Sequence, residues 1–245
     1  MASSVSKLVL VTGASSGIGQ AIAENLAQSG YSVIGTYLKS EKQARDISDK
    51  FPQTKFYQVD LTNRSDRRKF ISSLKGLTFY GLVNNAGVYE ADDINRAGLD
   101  IWDRQIELHL TAPIDLIRGL ISQIQSGGII INIASILGSN IASYESVGYA
   151  ASKSALSEIT KTLTVMLQKK HIRVNAVSPG LITSPPSLQS SNNWLDKVAH
   201  QTPIGRNGTP HDIANIVKFL LSSDYEIING QVIVADGGFS IINDF

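Results

Sequence analysis

The stretch Lys7-Leu8-Val9-Leu10-Val11-Thr12-Gly13-Ala14-Ser15-Ser16-Gly17-Ile18-Gly19 decides the fold. Its opening residues are apolar and partly β-branched, the pattern of a short buried strand. Glycines and serines follow, and then Ile18, Ala21, Ile22 and Leu26 recur at a helical period as far as Gln28. Gly30 stops that helix. Glycine between strand and helix permits a tight turn and a close approach of backbone to a ligand. The unpaired amides at the helix N-terminus then face the ligand, which suits a pyrophosphate. The spacing is Gly-x-x-x-Gly-x-Gly rather than Gly-x-Gly-x-x-Gly. Taken alone the turn is a modest signal, and a tight turn with no ligand stays open.

Working outward, the same alternation continues. Tyr31 to Tyr37, Lys55 to Val59 and Phe79 to Val83 read as strands two to four. Gly128 to Ile133 is the fifth, and its continuous apolar run suits burial on both faces. Ile172 to Val177 and Gln231 to Val234 complete about seven. Long helices are expected over Ile101 to Ile124 and Tyr149 to Gln168, and another from Thr209-Pro210, where Thr caps and Pro opens the helix. No linker or composition break divides the 245 residues. The expectation is one α/β domain over 1–245, a doubly wound parallel sheet with helices on both faces. Within it, 181–208 differs in texture, with Pro185-Pro186 and polar residues around Trp194. A long segment of that kind is usually functional, and it is expected to cover the substrate.

Composition narrows the function. Basic and acidic residues number 22 and 21, so no charge excess points to nucleic acid or an anionic membrane. The densest basic run, Arg64-Ser65-Asp66-Arg67-Arg68-Lys69, contains an acid and reads as a solvated helix face. The chain has no cysteine, which excludes disulfides and thiolate chemistry. Its start, Met1-Ala2-Ser3-Ser4-Val5, lacks the pattern of a secretory leader, and no segment has the length of a membrane span. A cytoplasmic protein is expected. His171, His200 and His211 show no metal-ligand spacing, and no metal is expected.

Four motifs in order resemble the classical short-chain dehydrogenase/reductase family over essentially the whole chain. Thr12 to Gly19 is similar to its cofactor turn, and Asn84-Asn85-Ala86-Gly87 to its Asn-Asn-Ala-Gly. Tyr149-Ala150-Ala151-Ser152-Lys153 is similar to its Tyr-x-x-x-Lys, and Ser178-Pro179-Gly180 to its Pro-Gly turn. The resemblance implies a single Rossmann-type domain. It implies a nicotinamide dinucleotide held by Gly13, Ser15, Ser16, Gly17, Ile18 and Gly19, by Asn85, Ala86 and Gly87, and by Tyr149 and Lys153. It adds Asp60 and Leu61 at the adenine, and Pro179, Gly180, Ile182 and Thr183 at the carboxamide. For Asp60, a cap on the following helix is an equal alternative.

The end of the second strand bears on the cofactor. An acid there would bond the adenosine ribose and reject a 2′-phosphate. Here Tyr37 holds that place, with Lys39, Ser40 and Ser16 near it. A charge-assisted bond contributes about 1.5–3 kcal/mol, a preference and not exclusivity. NADP(H) is favoured. NAD(H) stays possible through Glu41, and Lys39 stays open as an ordinary exposed lysine.

Reducing a carbonyl needs a proton donor and a second group to orient the oxygen. Tyr149 and Lys153 stand at i and i+4, on one helix face. Tyrosine ionises near pH 10, and bringing it to neutrality takes roughly 3 pK units, about 4 kcal/mol. A neighbouring ammonium and the oxidised nicotinamide are plausible sources. By resemblance Tyr149 is the general acid in reduction, Lys153 assists it and binds the ribose, and Ser135 holds the substrate oxygen. The Ser135–Tyr149 segment is about one residue longer than the family's.

One departure concerns Trp102 to Thr111, which resembles the family helix that carries a catalytic asparagine. His109 stands at that place. Histidine has donor and acceptor nitrogens and titrates near neutrality, so a proton relay and a satisfied interior histidine are both open. The leading expectation is NADPH-dependent reduction of a ketone or 3-oxoacyl group, similar to 3-oxoacyl-carrier-protein reductases. An NAD-dependent alcohol or sugar dehydrogenase and a non-catalytic nucleotide-binding regulator are the alternatives. The resemblance implies a homotetramer or homodimer built through the long helices and the C-terminal strand. Leu188, Trp194 and Leu195 are expected to cover an apolar substrate, or to form a subunit contact.

Overall fold

The structure, a computed structural model, describes residues 7–92, 94–95, 98–143, 145–183 and 193–242. Seven parallel strands make one sheet: β1 (Leu8–Val11), β2 (Ser32–Tyr37), β3 (Thr54–Gln58), β4 (Phe79–Asn84), β5 (Ile124–Ile133), β6 (Arg173–Pro179) and β7 (Val232–Ala235). Their spatial order is β3-β2-β1-β4-β5-β6-β7. Strand order reverses between β1 and β4, and the crevice beyond their C-terminal ends is where such a sheet accepts ligands. The glycine turn after β1 and Asn85–Gly87 after β4 both open onto it.

The described helices are α1 (Gly17–Gln28), α2 (Glu41–Lys50), α3 (Arg64–Ser73), α4 (Leu99–Ile106), α5 (Ala112–Leu120), α6 (Val147–Leu167), α7 (Asn193–Gln201) and α8 (Pro210–Leu221). Side-chain alternation along the strands divides the core between two faces. Val9, Val11, Ile129 and Ile131 pack with Ile22 and Leu26 of α1 and Val217 and Leu220 of α8. Leu10, Leu82, Ile130 and Val174 pack with Phe70 of α3 and Leu116 and Leu120 of α5. Each such side chain contributes about 1.5–3 kcal/mol by leaving water. The doubly wound parallel sheet expected from the sequence is the fold observed.

Two expectations need correction. The region 101–124 is not one helix: α4 ends at Ile106, a π-helical turn covers Glu107–Thr111, and α5 ends at Leu120. β5 then starts at Ile124, earlier than Gly128, because Ile124 pairs with Phe79 and the register shifts before Gly81. Gly127, at φ +78°, takes within the strand a backbone conformation that L side chains rarely adopt.

The second correction concerns the basic run on α3. Arg67 is not solvated; its side chain is fully buried. It donates to Leu61 O at 2.5 Å and to Asp115 Oδ2 at 2.8 Å, and it pairs with Glu107 Oε1 at 2.6 Å. The partners come from three separate segments, so no local pattern marks the arginine as internal.

Candidate active site

The glycine turn is shaped by contact, not merely by flexibility. A Cβ on Gly19 would lie 2.1 Å from Gly13 O, and one on Gly13 would lie 3.0 Å from Ala86 Cα. Gly13 and Gly17 have φ of +62° and +53°, where L side chains are strained. A Cβ on Gly17 would meet nothing within 4 Å, so that residue faces open space. Ser16 makes no side-chain cap on α1, and the first turn holds no acid. The free amides and the helix dipole therefore suit a diphosphate.

Thr12 ties this turn to the loop after β4. Its Oγ1 accepts from the amides of Asn85 and Ala86, both at 2.9 Å. Asn85 Nδ2 returns a bond to Thr12 O at 2.8 Å. Below them, Asn84 Nδ2 donates to Asn132 Oδ1 at 2.8 Å, and Asn132 Nδ2 to Thr160 Oγ1 at 2.9 Å. This buried amide chain joins β4, β5 and α6 beneath the crevice, and it fixes the strand ends that carry the site.

At the adenosine end, Tyr37 closes β2, and Lys39 is exposed just beyond it. Glu41, the nearest acid, opens α2 and pairs with Arg45 at 2.5 Å. Asp60 Oδ1 accepts from the amide and hydroxyl of Thr62, at 2.9 and 2.6 Å. The cap of α3 is Asn63, which accepts from Ser65 and Asp66. Leu61 turns its side chain into the core. Pro179 ends β6, and beyond Gly180 the next residues pair with Gly208: Ile182 by a bridge, Thr183 by an N–H···O bond of 2.9 Å.

The chemical groups converge at the ends of β4 and β5 and the start of α6. Ser146, the residue before α6, makes no side-chain cap. Asp92 Oδ2, from the loop after β4, instead accepts the Gly148 amide at 2.6 Å. An acid at that end also suits the helix dipole. Tyr149 lies in the first turn and hydrogen-bonds Ser135. Burial pushes its phenol above the ordinary value, the Ser135 bond opposes this, and Tyr89 adds to it. Lys153 is buried, and its Nζ donates to Ile133 O at 2.7 Å and lies 5.8 Å from the Tyr149 ring centroid. Desolvation lowers it to about 8. Burial therefore outweighs the Ser135 bond, and the phenol lies above its ordinary value rather than below it.

His109 is fully buried in the π turn. Its Nε2 accepts from the Val88 amide at 3.1 Å, and its Nδ1 lies 3.1 Å from Ser152 Oγ. Burial, and then the Lys153 charge, lower it to about 3. The Tyr149 ring meets His109 edge to face at 5.3 Å and Tyr89 at 5.2 Å. Of the expected cover, Trp194 is exposed and Leu195 half-buried, while Leu188 and Pro185-Pro186 lie outside the described residues. Sequence reasoning placed Thr12 only as the first residue of the cofactor turn, and gave no role to Tyr89, Asp92 or Ser152. Of these last three, Tyr89 carries a signal, as a large aromatic just past Asn-Asn-Ala-Gly.

The doubly wound sheet, the glycine turn at its crevice and the cluster of Ser135, Tyr149 and Lys153 match the frame of an NAD(P)-dependent short-chain oxidoreductase. The family profile described as "Enoyl-(Acyl carrier protein) reductase" matches residues 13–240. The 3-oxoacyl-[acyl-carrier-protein] reductase FabG of Staphylococcus epidermidis is 34% identical over 244 residues, 96% of this chain and 99% of that protein. The structure of the angucycline C-6 ketoreductase LanV with bound NADP is similar with a TM-score of 0.90 and 30% identity, over 96% of each chain. A short-chain dehydrogenase/reductase of Serratia marcescens follows at 0.88 and 28%, over 96% of this chain and 98% of that one. The chain belongs to the short-chain dehydrogenase/reductase family.

Proposed function

We propose that the protein reduces a ketone or a 3-oxoacyl thioester with NADPH. The observation that carries this is the convergence of Ser135, Tyr149 and Lys153 at strand ends beside the free α1 N-terminus. Gly13, Ser15 to Gly19 and Asn85 to Gly87 would hold the dinucleotide, with Asp60 and Leu61 at its adenine and Pro179, Gly180, Ile182 and Thr183 at its carboxamide. Tyr37 in place of an acid, Lys39 beside it, and Glu41 engaged with Arg45 favour the 2′-phosphate. The NADP bound to LanV agrees with that preference.

When bound, NADPH supplies the hydride. Ser135 and Tyr149 receive the substrate oxygen, and the phenol gives its proton to it as the carbonyl becomes an alcohol. Lys153, charged below about pH 8, would stabilise the tyrosinate left behind and would hold the ribose of the bound cofactor. Of the segment 181–208, residues 184–192 lie outside the described residues; the described part, with exposed Trp194 and half-buried Leu195, would border the substrate. The chain assembles as a homodimer or homotetramer, a reading supported by exposed Val165 and Met166 on α6 and Val234 on β7; light scattering gives the mass.

The test is NADPH oxidation against ketones, 3-oxoacyl thioesters and enoyl thioesters, with NADH in parallel. Tyr149→Phe should lower kcat by about 10³-fold, within the usual range for losing a positioned acid, with NADPH binding kept. Turnover of alcohols with NAD alone would establish the dehydrogenase alternative. Tight NADPH binding with no turnover of any substrate would establish the regulator.

A further inference from the structure

The hydrogen bonds of His109 fix its protonation without ambiguity. A backbone amide only donates, so the Val88 N–H at 3.1 Å requires a bare lone pair on Nε2. A neutral imidazole with a bare Nε2 carries its proton on Nδ1, and that proton goes to Ser152 Oγ at 3.1 Å. Ser152 has one proton of its own, which it gives to Tyr149 O at 2.9 Å. The chain runs in one direction, from the Val88 amide through the ring and the hydroxyl to the Tyr149 backbone, and every donor meets an acceptor. Protonating Nε2 would set two donors face to face in a buried space beside the Lys153 cation.

The ring is also held in place. A Cβ on Gly87 would lie 3.2 Å from its Cδ2 and Nε2. The Tyr149 ring packs edge to face on it at 5.3 Å and 82°. The π turn aims His109 between the loop after β4 and the first turn of α6. These two segments carry Asn85 to Gly87, on the nucleotide side, and Tyr149, on the proton side.

We propose that His109 is a positioning residue and not a proton carrier: fixed as the Nδ1–H tautomer, it straps the Val88 loop to the catalytic helix and sets Tyr149 against the dinucleotide. The kinetic part of this inference rests on the reductase reading above; the tautomer does not. The strap needs an acceptor at the Nε2 position and a donor at the Nδ1 position, not an ionisable group. A glutamine amide oxygen is as many bonds from Cβ as Nε2, and so supplies the Val88 acceptor without any titration.

Two measurements decide it. The chain has 4 histidines, so ¹⁵N-histidine spectra of the wild type and of His109→Gln identify the His109 signals by difference. They should show an Nδ1–H ring with no titration from about pH 5 to about pH 9, against a free imidazole that titrates near 6.5. An Nε2–H ring, or a titration inside that range, overturns the proposal. In turnover, His109→Ala should lose up to about 10²-fold in kcat through misplacement of the phenol, with the pH profile unchanged in shape. His109→Gln should recover to within about fivefold of wild type, and the double variant His109→Ala/Ser152→Ala should be no worse than His109→Ala. Loss of one limb of the pH profile in both variants makes His109 a proton carrier, and a Gln variant as slow as Ala overturns the strap from Nε2 to the Val88 loop. If the wild type turns over no carbonyl, the reductase reading falls, and the nitrogen spectra still decide the tautomer.

Discussion

Gly19 shows how one missing side chain lets two loops meet. Its Cα faces Gly13 O, which a Cβ would approach to 2.1 Å, and Asn85 Nδ2, which it would approach to 2.5 Å. The first contact is with backbone, so relieving it moves the glycine turn itself. Gly19→Ala is expected to abolish measurable NADPH binding by calorimetry. It should also cost about 1–3 kcal/mol of stability in urea, the usual penalty for overpacking. Retained binding would mean that the turn is not the diphosphate seat. Of the residues at this site, the glycines, Tyr149 and Lys153 were legible because their spacing is local. The bonds of Thr12 to Asn85 and Ala86, of Asp92 to Gly148 and of Ser152 to His109 were not, because they join segments far apart in sequence. His109 was legible as a departure, but its neutral state follows only from partners on two other segments.

The elements hold the site through one buried cation. Arg67 of α3 reaches Leu61 O beside Asp60, Glu107 in the π turn and Asp115 on α5. It thus connects the proposed adenine loop to the turn that aims His109. Arg67→Met removes the charge and leaves Glu107 and Asp115 near each other, though both keep some access to water. The expected loss is about 3 kcal/mol, the lower end for breaking a buried pair, read as a lower urea midpoint at unchanged slope. Loss of NADPH affinity should accompany it, since the loop at Leu61 is released. Strands and most helices were legible from apolar runs and periods. The break in 101–124 was not, because the π turn keeps a helical pattern on both sides, and the helix stops where Ile124 finds Phe79.

At the scale of the whole molecule, the same burial that shapes the site makes stability depend on pH. His109 is lowered from 6.5 to about 3, so between those values the unfolded chain binds a proton that the folded chain refuses. Stability therefore falls as pH drops through that window. Lys153 is lowered from 10.5 to about 8, so between those values the unfolded chain again binds more, and stability rises with pH there. At about 1.4 kcal/mol per pK unit, the lysine changes stability by about 3 kcal/mol at most over its window. Both groups tilt the curve the same way, against acid. Scanning calorimetry should show a Tm that falls from about pH 6.5 downward, with a smaller fall in His109→Gln, which has no proton to gain. Lys153→Met should flatten the rise above about pH 8 and leave the acid side as it is. Equal acid slopes in wild type and His109→Gln would show that His109 is not held neutral in the folded chain.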